Sequence, residues 1–581
     1  MKTSLIIATK KFFYKKNILY LGHWAVPSNQ LFSRSISKKV LKYHWDDRKK
    51  LNKDYLFLKK FSFSILNRLT PILNKIHGVK YSRKYWIFLL FPWLLSYVSI
   101  IFDRWETISK IKKKKSCFVF FNRSNEFSQK ILDYNHLLKI SQTDEWNEKL
   151  YFDIVRYKNL DYRFINNNKI SKNKKIDLNV SFFKKYTYFL LRIIFFIVNI
   201  FVKKASRKNL IIDTNFGYFF YRKFLNKNIY TYGLSFAEKI NNFYLGVSTD
   251  LESRKKFIEG IHYKISEKKS FSSFFNKILK NDFPTVYLEN YNYLNNPICK
   301  KTQYKSITTS FMHFQSISDK FQYAKHIINK TKLFILEHGG SLPAFKEIFN
   351  FEEMIANKKF TFYKPILKKQ KKIKLNVHEY KILNIKKTLG KNCSIFCGET
   401  PMWNYRVQYY ATSSQSLYTY RLLVSFIKNL DKNIQTKCKI KTKTILNGFN
   451  FKWHYRKEFK DDIIYKKNSI VDFIQDSKIL ILSYPETTLI EAILSKRPFI
   501  LLYNKKFYER HSSTKKIIIK LKKNKIIFFS AVKAANHINK YWKDPYSWFG
   551  LTDVQDCLEE FKKKYVLTKS FTDYRKNDIL F

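Results

Sequence analysis

Glycine is scarce in this sequence, 12 among 581 residues, and acidic side chains are few: 44 Asp and Glu stand against 111 Lys and Arg. The glycine-dependent phosphate signatures are correspondingly missing. No Gly-x-x-x-x-Gly-Lys-Ser/Thr loop occurs and no Gly-x-Gly-x-x-Gly follows a candidate strand, which weighs against a phosphate-loop ATPase and a dinucleotide oxidoreductase. Gly-x-Ser-x-Gly and the spaced His and Glu of metalloproteases are absent as well, so the common hydrolase classes lose support. Cysteine is thin: Cys117, Cys299, Cys393, Cys397, Cys438 and Cys557 show neither zinc spacing nor a disulfide framework. Lys10, Lys11, Lys15 and Lys16 break any apolar stretch after Ile7 that would read as a secretory signal, and these absences together point to the reducing cytoplasm.

What is present is a long, aromatic and strongly basic chain. Its length exceeds the size at which one hydrophobic core keeps growing, so two or more domains are expected. A hydrophobic content of 45% with 18% aromatic residues suits a folded protein, and 27% charged residues argue against an integral membrane bundle. The net charge of +67 attracts phosphates, nucleic acid and anionic lipid alike. Lys, Asn, Ile, Phe and Tyr share A- and T-rich codons, so an AT-rich genome accounts for much of the lysine, and charge alone selects no partner. A basic, non-enzymatic nucleic-acid binder is therefore the alternative reading, although no recognised binding module can be traced and the charges are scattered.

Along the chain, Asn17 to Trp24 reads as a first strand ending in a turn. Tyr43-His44-Trp45-Asp46-Asp47-Arg48 is a knot of ionisable groups placed just before helical periodicity from Leu51 to Ile76. It is either a helix N-terminus whose acids complement the dipole or part of a site, with His44 and Asp46 as the catalytic candidates. Trp86 to Phe102 carries no charge, has Pro92 in its middle and sits at the lower limit of a membrane span; Tyr186 to Val202 is similar but contains Arg192. Both are expected as buried or interfacial helices, with basic flanks able to rest on a bilayer. Strands are expected at Asn209 to Asp213, Thr285 to Leu288, Leu333 to Leu336 and Lys359 to Tyr363, a helix at Ser318 to Lys330, and an interdomain linker at Lys364 to Lys374.

The stretch Leu333 to Pro343 reads as a buried strand, a tight turn and a helix start. Gly339-Gly340 is the only adjacent glycine pair in the chain, and it places bare backbone beside the imidazole of His338. An ordinary strand-to-helix turn with a hydrogen-bonded histidine fits the same residues. The second half repeats the α/β pattern, with strands at Ser394 to Cys397, Lys439 to Leu446, Lys478 to Leu482 and Phe499 to Tyr503, and helices at Leu417 to Leu430 and Thr487 to Leu494. Thr487 or Thr488 stands where a helix N-cap belongs, and Glu491 follows Thr488 at capping-box spacing. A helix start beyond the carboxyl end of a strand is also where a diphosphate binds, with a carboxylate for ribose.

These stretches, with Pro92-Trp93-Leu94, Phe102-Asp103-Arg104-Trp105 and Ile538 to Pro545, resemble a family of transferases from bacterial surface-polysaccharide and O-antigen loci. Members of that family look like GT-B glycosyltransferases and are distantly similar to Kdo and CDP-glycerol polymer transferases. The resemblance implies an α/β fold of two Rossmann-like domains with extra helices in the first: residues 1–370 on the acceptor side, 371–545 binding the nucleotide donor, and 546–581 as a final helix packing back on the first domain. It implies transfer of a sugar or related group from a nucleotide-activated donor to a lipid-linked or other glycan acceptor. His338 would be the general base on the acceptor hydroxyl or a donor to the departing phosphate, with His44 and Asp46 as further catalytic candidates; Gly339, Gly340, Thr487, Thr488 and Glu491 would hold the donor. No cofactor, no bound metal and no nucleic acid are expected, and the protein would be peripheral at the inner, anionic face of the membrane. Two positions depart from the related pattern: Ser483-Tyr484 and Asn357 stand where acidic residues are expected.

Overall fold

The computed structural model describes residues 4–9, 18–111, 117–122, 130–165, 209–212, 229–231, 250–261, 270–295, 304–310, 317–337, 351–372, 382, 385–386, 388–407, 411–442 and 447–566. Its strands are short, rich in Ile, Leu and Phe, and pair only in parallel within three sheets. The first sheet contains β1 (Ser4–Ile7), β2 (Ile18–Tyr20), β3 (Cys117–Asn122) and β4 (Tyr162–Ile165), in the order β2-β1-β3-β4. The second is built from β5 (Asn209–Ile212), β6 (Ile229–Thr231), β7 (Ser306–Thr309), β8 (Lys332–Leu336), β9 (Lys358–Thr361) and β10 (Gln370–Lys372), in the order β6-β5-β7-β8-β9-β10. The third holds β11 (Asn392–Cys397), β12 (Cys438–Thr442), β13 (Ser477–Leu482), β14 (Phe499–Leu502) and β15 (Ile527–Phe528), in the order β12-β11-β13-β14-β15.

Each sheet places its first strand between its second and third. The winding direction therefore reverses once per sheet, between β1 and β3, β5 and β7, and β11 and β13, and such a reversal leaves a crevice at the carboxyl ends of the two strands. The α/β class expected from the sequence is observed. Among the described residues β1 to β10, up to Lys372, form two of the three sheets.

Long helices join the sheets. Arg48–Ile76 begins where Asp47 accepts the backbone N–H groups of Lys49 and Lys50 at 2.9 and 3.1 Å, so this part of the ionisable knot is a helix cap. Arg83–Ser109 contains the uncharged run from Trp86 to Phe102, and 94% of its most apolar window is buried inside the protein. It packs on Arg48–Ile76 and on the helices Asp144–Tyr157, Phe271–Asp282 and Ile317–Ile328. Several of its polar atoms are met from within: Trp86 Nε1 donates to Asn74 at 2.8 Å, Tyr97 to Asp282 at 2.7 Å, and the Leu89 carbonyl, near the proline-loosened turn at Pro92, accepts from Tyr287 and Lys320 at 3.0 Å each. A helix covered on every side in this way is a core helix. The second apolar run, Tyr186 to Val202, lies outside the described residues.

Three local expectations are corrected. Thr285 to Leu288 is not a strand but a 3-10 turn, Thr285–Tyr287, entered through Pro284, with Thr285 and Val286 donating to the carbonyls of Ile131 and Leu132. The lysine-rich stretch read as a linker supplies the edge strand β10, because the Gln370 side chain takes the N–H groups of Ile366 and Leu367 and folds the segment back beside β9. The N-cap of Thr487–Ser495 is Glu486, so Thr487 and Thr488 lie in the first turn instead of capping it.

Candidate functional site

The crevice between β11 and β13 is described on both sides. Strand β11 runs out into Gly398-Glu399-Thr400, and β13 into Ser483, Tyr484 and the start of the Thr487–Ser495 helix. Gly398 donates its N–H to Ser483 Oγ at 2.9 Å, tying the two strand ends together. No side chain fits at Gly398, where an added Cβ would lie 2.6 Å from the Tyr484 ring, nor at Gly448, where it would lie 2.4 Å from Glu399 Oε1. Glycine is used here for close approach. Ser483, at a position expected to be acidic, therefore serves as the lock between the strands.

Glu399 is the most perturbed acid of this crevice. Burial pushes its carboxyl up to about 7, against the backbone amides of Phe451, Asn450 and Phe449, which favour the ionised form. Its Oε1 is buried without a hydrogen-bond partner. On the β13 side, Glu486 precedes the helix and is held by Arg510, whose Nη2 donates to Glu486 Oε1 at 2.9 Å and to the Pro485 carbonyl at 3.0 Å. Burial also raises the Glu486 carboxyl, partly offset by Arg510. A guanidinium thus stands at the N-terminal end of a nine-residue helix, where free N–H groups and the dipole already favour an anion.

Thr487 opens that helix and is half-buried. Thr488 and Glu491 turn inward: with Phe396, Phe473, Leu480 and Leu482 they line a small internal space behind the crevice. Thr488 is 8% exposed and its hydroxyl has no partner, a combination that a buried polar group rarely shows unless a ligand or water completes it.

The rim is completed by the N-terminal knot. Gln415 donates from Nε2 to the Trp45 carbonyl and to Asp46 Oδ1, both at 3.1 Å, and Arg48 reaches Glu509 through Nε and Nη2, both at 2.6 Å. Gln415 follows β11 and Glu509 follows β14, so Asp46 and Arg48 meet loops at the carboxyl edge of the third sheet. Burial raises the Asp46 carboxyl, while the Gln415 hydrogen bond, Lys506, Lys110 and Arg48 pull it down. His44 faces the other way. It is 3% exposed, lies between the Tyr43 and Trp45 rings, and approaches Asp103 at 3.4 Å without hydrogen-bond geometry. Burial, with Lys110, Lys50 and Arg104 nearby, holds its pKa well below the usual range, so this imidazole is neutral and the contact is no ion pair.

Asp103 belongs to an internal network. It accepts from Tyr43 at 2.6 Å and from Arg104 at 2.5 Å, and Arg104 also donates to the Asn404 carbonyl at 2.7 Å and to Asn147 at 2.8 Å. The Phe102-Asp103-Arg104-Trp105 motif therefore anchors the loop after β11 to the core helix.

His338, Gly339 and Gly340 lie outside the described residues. Glu337, immediately before them and directly after β8, is half-buried, accepts the Phe362 N–H at 2.8 Å and has its carboxyl pushed up to about 7 by desolvation. Asn357, at the other departure from the related pattern, uses Oδ1 to accept the Leu333 N–H at 2.8 Å and so fixes β8 against β9. Glu399, Arg510 and Gln415 were not singled out from the sequence. For Glu399 a signal existed, a Gly-acid pair directly after a strand; for Arg510 and Gln415 none did, since their partners are remote in the chain. Among the described residues no three His, Cys, Asp or Glu side chains converge as a set able to hold a metal ion.

No curated protein matches the chain in a sequence search. A family model does, over residues 3–572, and its description is the LIC12162 family transferase. With nearly the whole length matched, three parallel sheets included, the chain belongs to the LIC12162 family of transferases.

Proposed function

We propose that this transferase moves a sugar or a related alcohol group from a nucleotide-activated donor to a lipid-linked or other glycan acceptor during surface-polysaccharide (O-antigen or capsule) biosynthesis. The observation that carries the proposal is the β11/β13 crevice, where Arg510 holds the start of the Thr487–Ser495 helix after β13 and β11 runs out into the buried, protonatable Glu399. Diphosphate would bind at the helix amides, Thr487 and Arg510, with Thr488 and Glu491 completing the floor toward the nucleoside. Leaving-group charge is then met by a preorganised guanidinium and a helix dipole. On this reading 371–545 is the donor unit of a GT-B-like pair, 1–370 the acceptor unit and 546–581 the closing segment. His338, just beyond Glu337 at the carboxyl end of β8, acts as general base with Gly339 and Gly340 beside it. Asp46 at the rim assists, His44 supports it from within, and the enzyme works at the cytoplasmic, anionic membrane surface.

A thermal-shift screen against nucleoside diphosphates tests the proposal. A cognate nucleotide at ~100 times its dissociation constant stabilises by about 2.7 kcal/mol. Arg510→Gln should lose most of that shift, and a shift of equal size in variant and parent removes Arg510 from the donor site.

A further inference from the structure

The membrane part of that reading needs a surface, and the Trp86 to Phe102 run cannot supply it because that helix is buried in the core. A different helix has the required chemistry. Lys515–Lys523 buries Ile517 and Leu521 against the third sheet and turns its other face to solvent. At the middle of the outer face Ile519 is 58% exposed. The residues three and four positions away on either side are Lys515, Lys516, Lys522 and Lys523, all exposed. At helical spacing these four surround Ile519 directly, so one apolar side chain projects from a ring of ammonium groups. Lys520 is engaged sideways with Glu560 of the Thr552–Tyr565 helix.

A second exposed apolar side chain lies past the helix end. Asn524 donates to the Asp553 carbonyl at 3.2 Å and accepts from Trp548 Nε1 at 3.1 Å, which brings the intervening Leu551, 54% exposed, alongside. The neighbouring Thr552–Tyr565 helix carries the acidic Asp553, Asp556 and Glu559.

We infer that the outer face of Lys515–Lys523, with Leu551 beside it, docks the protein on an anionic lipid bilayer. This deepens the membrane element of the proposed function and rests on it. The lysines match anionic headgroups, and Ile519 and Leu551 reach the acyl boundary, a contact that a nucleic-acid backbone does not reward. The helix begins five residues after Arg510, on the loop leaving the carboxyl edge of the sheet, so docking brings the rim of the crevice to the lipid surface. Leu56 on Arg48–Ile76 is 57% exposed and also has lysines nearby, but Asn52 takes one of the four surrounding positions, and the adjacent Phe57, itself 42% exposed, stacks its ring on Phe61 and meets Phe271 edge-on. It serves as the comparison.

The test is co-sedimentation of the full chain with vesicles of equal parts phosphatidylcholine and phosphatidylglycerol, and with phosphatidylcholine alone. Binding should require the anionic lipid and fall with salt. The fourfold variant Lys515→Ser, Lys516→Ser, Lys522→Ser, Lys523→Ser should weaken it by more than about a hundredfold, each lysine near an anionic surface being worth about fivefold. Ile519→Ser should weaken it about tenfold and Leu56→Ser should not, all with unchanged melting temperature because these side chains are exposed. The inference is overturned if the Ile519 variant sediments like the parent, or if Leu56→Ser gives the loss instead. Equal binding to neutral vesicles overturns it too, as does retention of mixed-sequence RNA that Ile519→Ser leaves intact while vesicle binding is nil. Loss of a dimer in Ile519→Ser, with vesicle binding kept, would assign the face to a second copy of the chain. Nucleotide binding measured on the same preparations fails or survives independently of docking, so the two readings are separable.

Discussion

Arg48 and Glu509, 461 residues apart in the chain, form a two-armed ion pair with both contacts at 2.6 Å. The pair joins the first long helix to the loop after β14, and the next residue, Arg510, grips the start of the Thr487–Ser495 helix. One short loop thus couples the N-terminal layer to the proposed anion site.

The side chains of the pair are only 12% and 24% exposed, so it is not a screened surface contact. A double-mutant cycle of Arg48→Ala and Glu509→Ala by chemical denaturation should give a coupling energy of about 1 to 3 kcal/mol. A coupling below about 0.5 kcal/mol would place it among ordinary exposed pairs.

Arg104 is fully buried with Asp103, and removing one partner leaves a buried charge behind. Arg104→Ala should cost about 3 to 5 kcal/mol, measured as a shift of the urea midpoint at constant slope. Asp103→Asn in the Arg104→Ala background should recover part of it. A loss under about 1 kcal/mol would show that the network is solvated.

Glu399 links stability to pH. Its carboxyl rises from an ordinary value of 4.5 to about 7, so the fold favours the neutral form. The stabilising contribution is therefore complete below about pH 4.5 and is lost as pH climbs through about 7. The difference in unfolding free energy between parent and Glu399→Gln should fall across that window by on the order of 3 kcal/mol or less. Glu337 is also raised to about 7 and contributes a similar slope, which the Glu399 difference curve cancels. A flat difference curve would mean that Glu399 is solvated.

Thr488→Val removes a buried hydroxyl that has no partner and keeps the shape. Stability should be unchanged or rise by about 1 kcal/mol, while nucleotide affinity drops several-fold. A loss of stability with normal affinity would give Thr488 a purely structural role.

Elements carried by local pattern were legible in the sequence. Leu333 to Leu336 and Lys478 to Leu482 are apolar runs bounded by turns, and both are strands close to those limits. The Arg48–Ile76 helix was legible from its periodicity and its cap. The sheet of β1 to β4 was not legible as a unit, because β1, β3 and β4 are four to six residues long and are defined by pairing across the chain. The site divided along the same line. Thr487, Thr488 and Glu491 announce themselves as a helix start after a strand, whereas Arg510 carries no local sign that its side chain folds back to Glu486. The ionisable knot looked like one unit, yet folding splits it, with Asp47 capping, Asp46 facing the rim and His44 buried. Backbone direction decides this, and a single sequence does not display it.

The central claim is that the carboxyl ends of β11 and β13 bind the nucleotide of the donor. Amide hydrogen exchange of the full chain, with and without each nucleoside diphosphate at saturating concentration, locates the binding directly. The account expects at least one nucleotide to slow exchange at Gly398 to Thr400 and at Tyr484 to Leu489, with smaller effects at Glu509 and Arg510. Protection confined to the segments after β1 and β3, or after β5 and β7, or no protection by any nucleoside diphosphate, would contradict it.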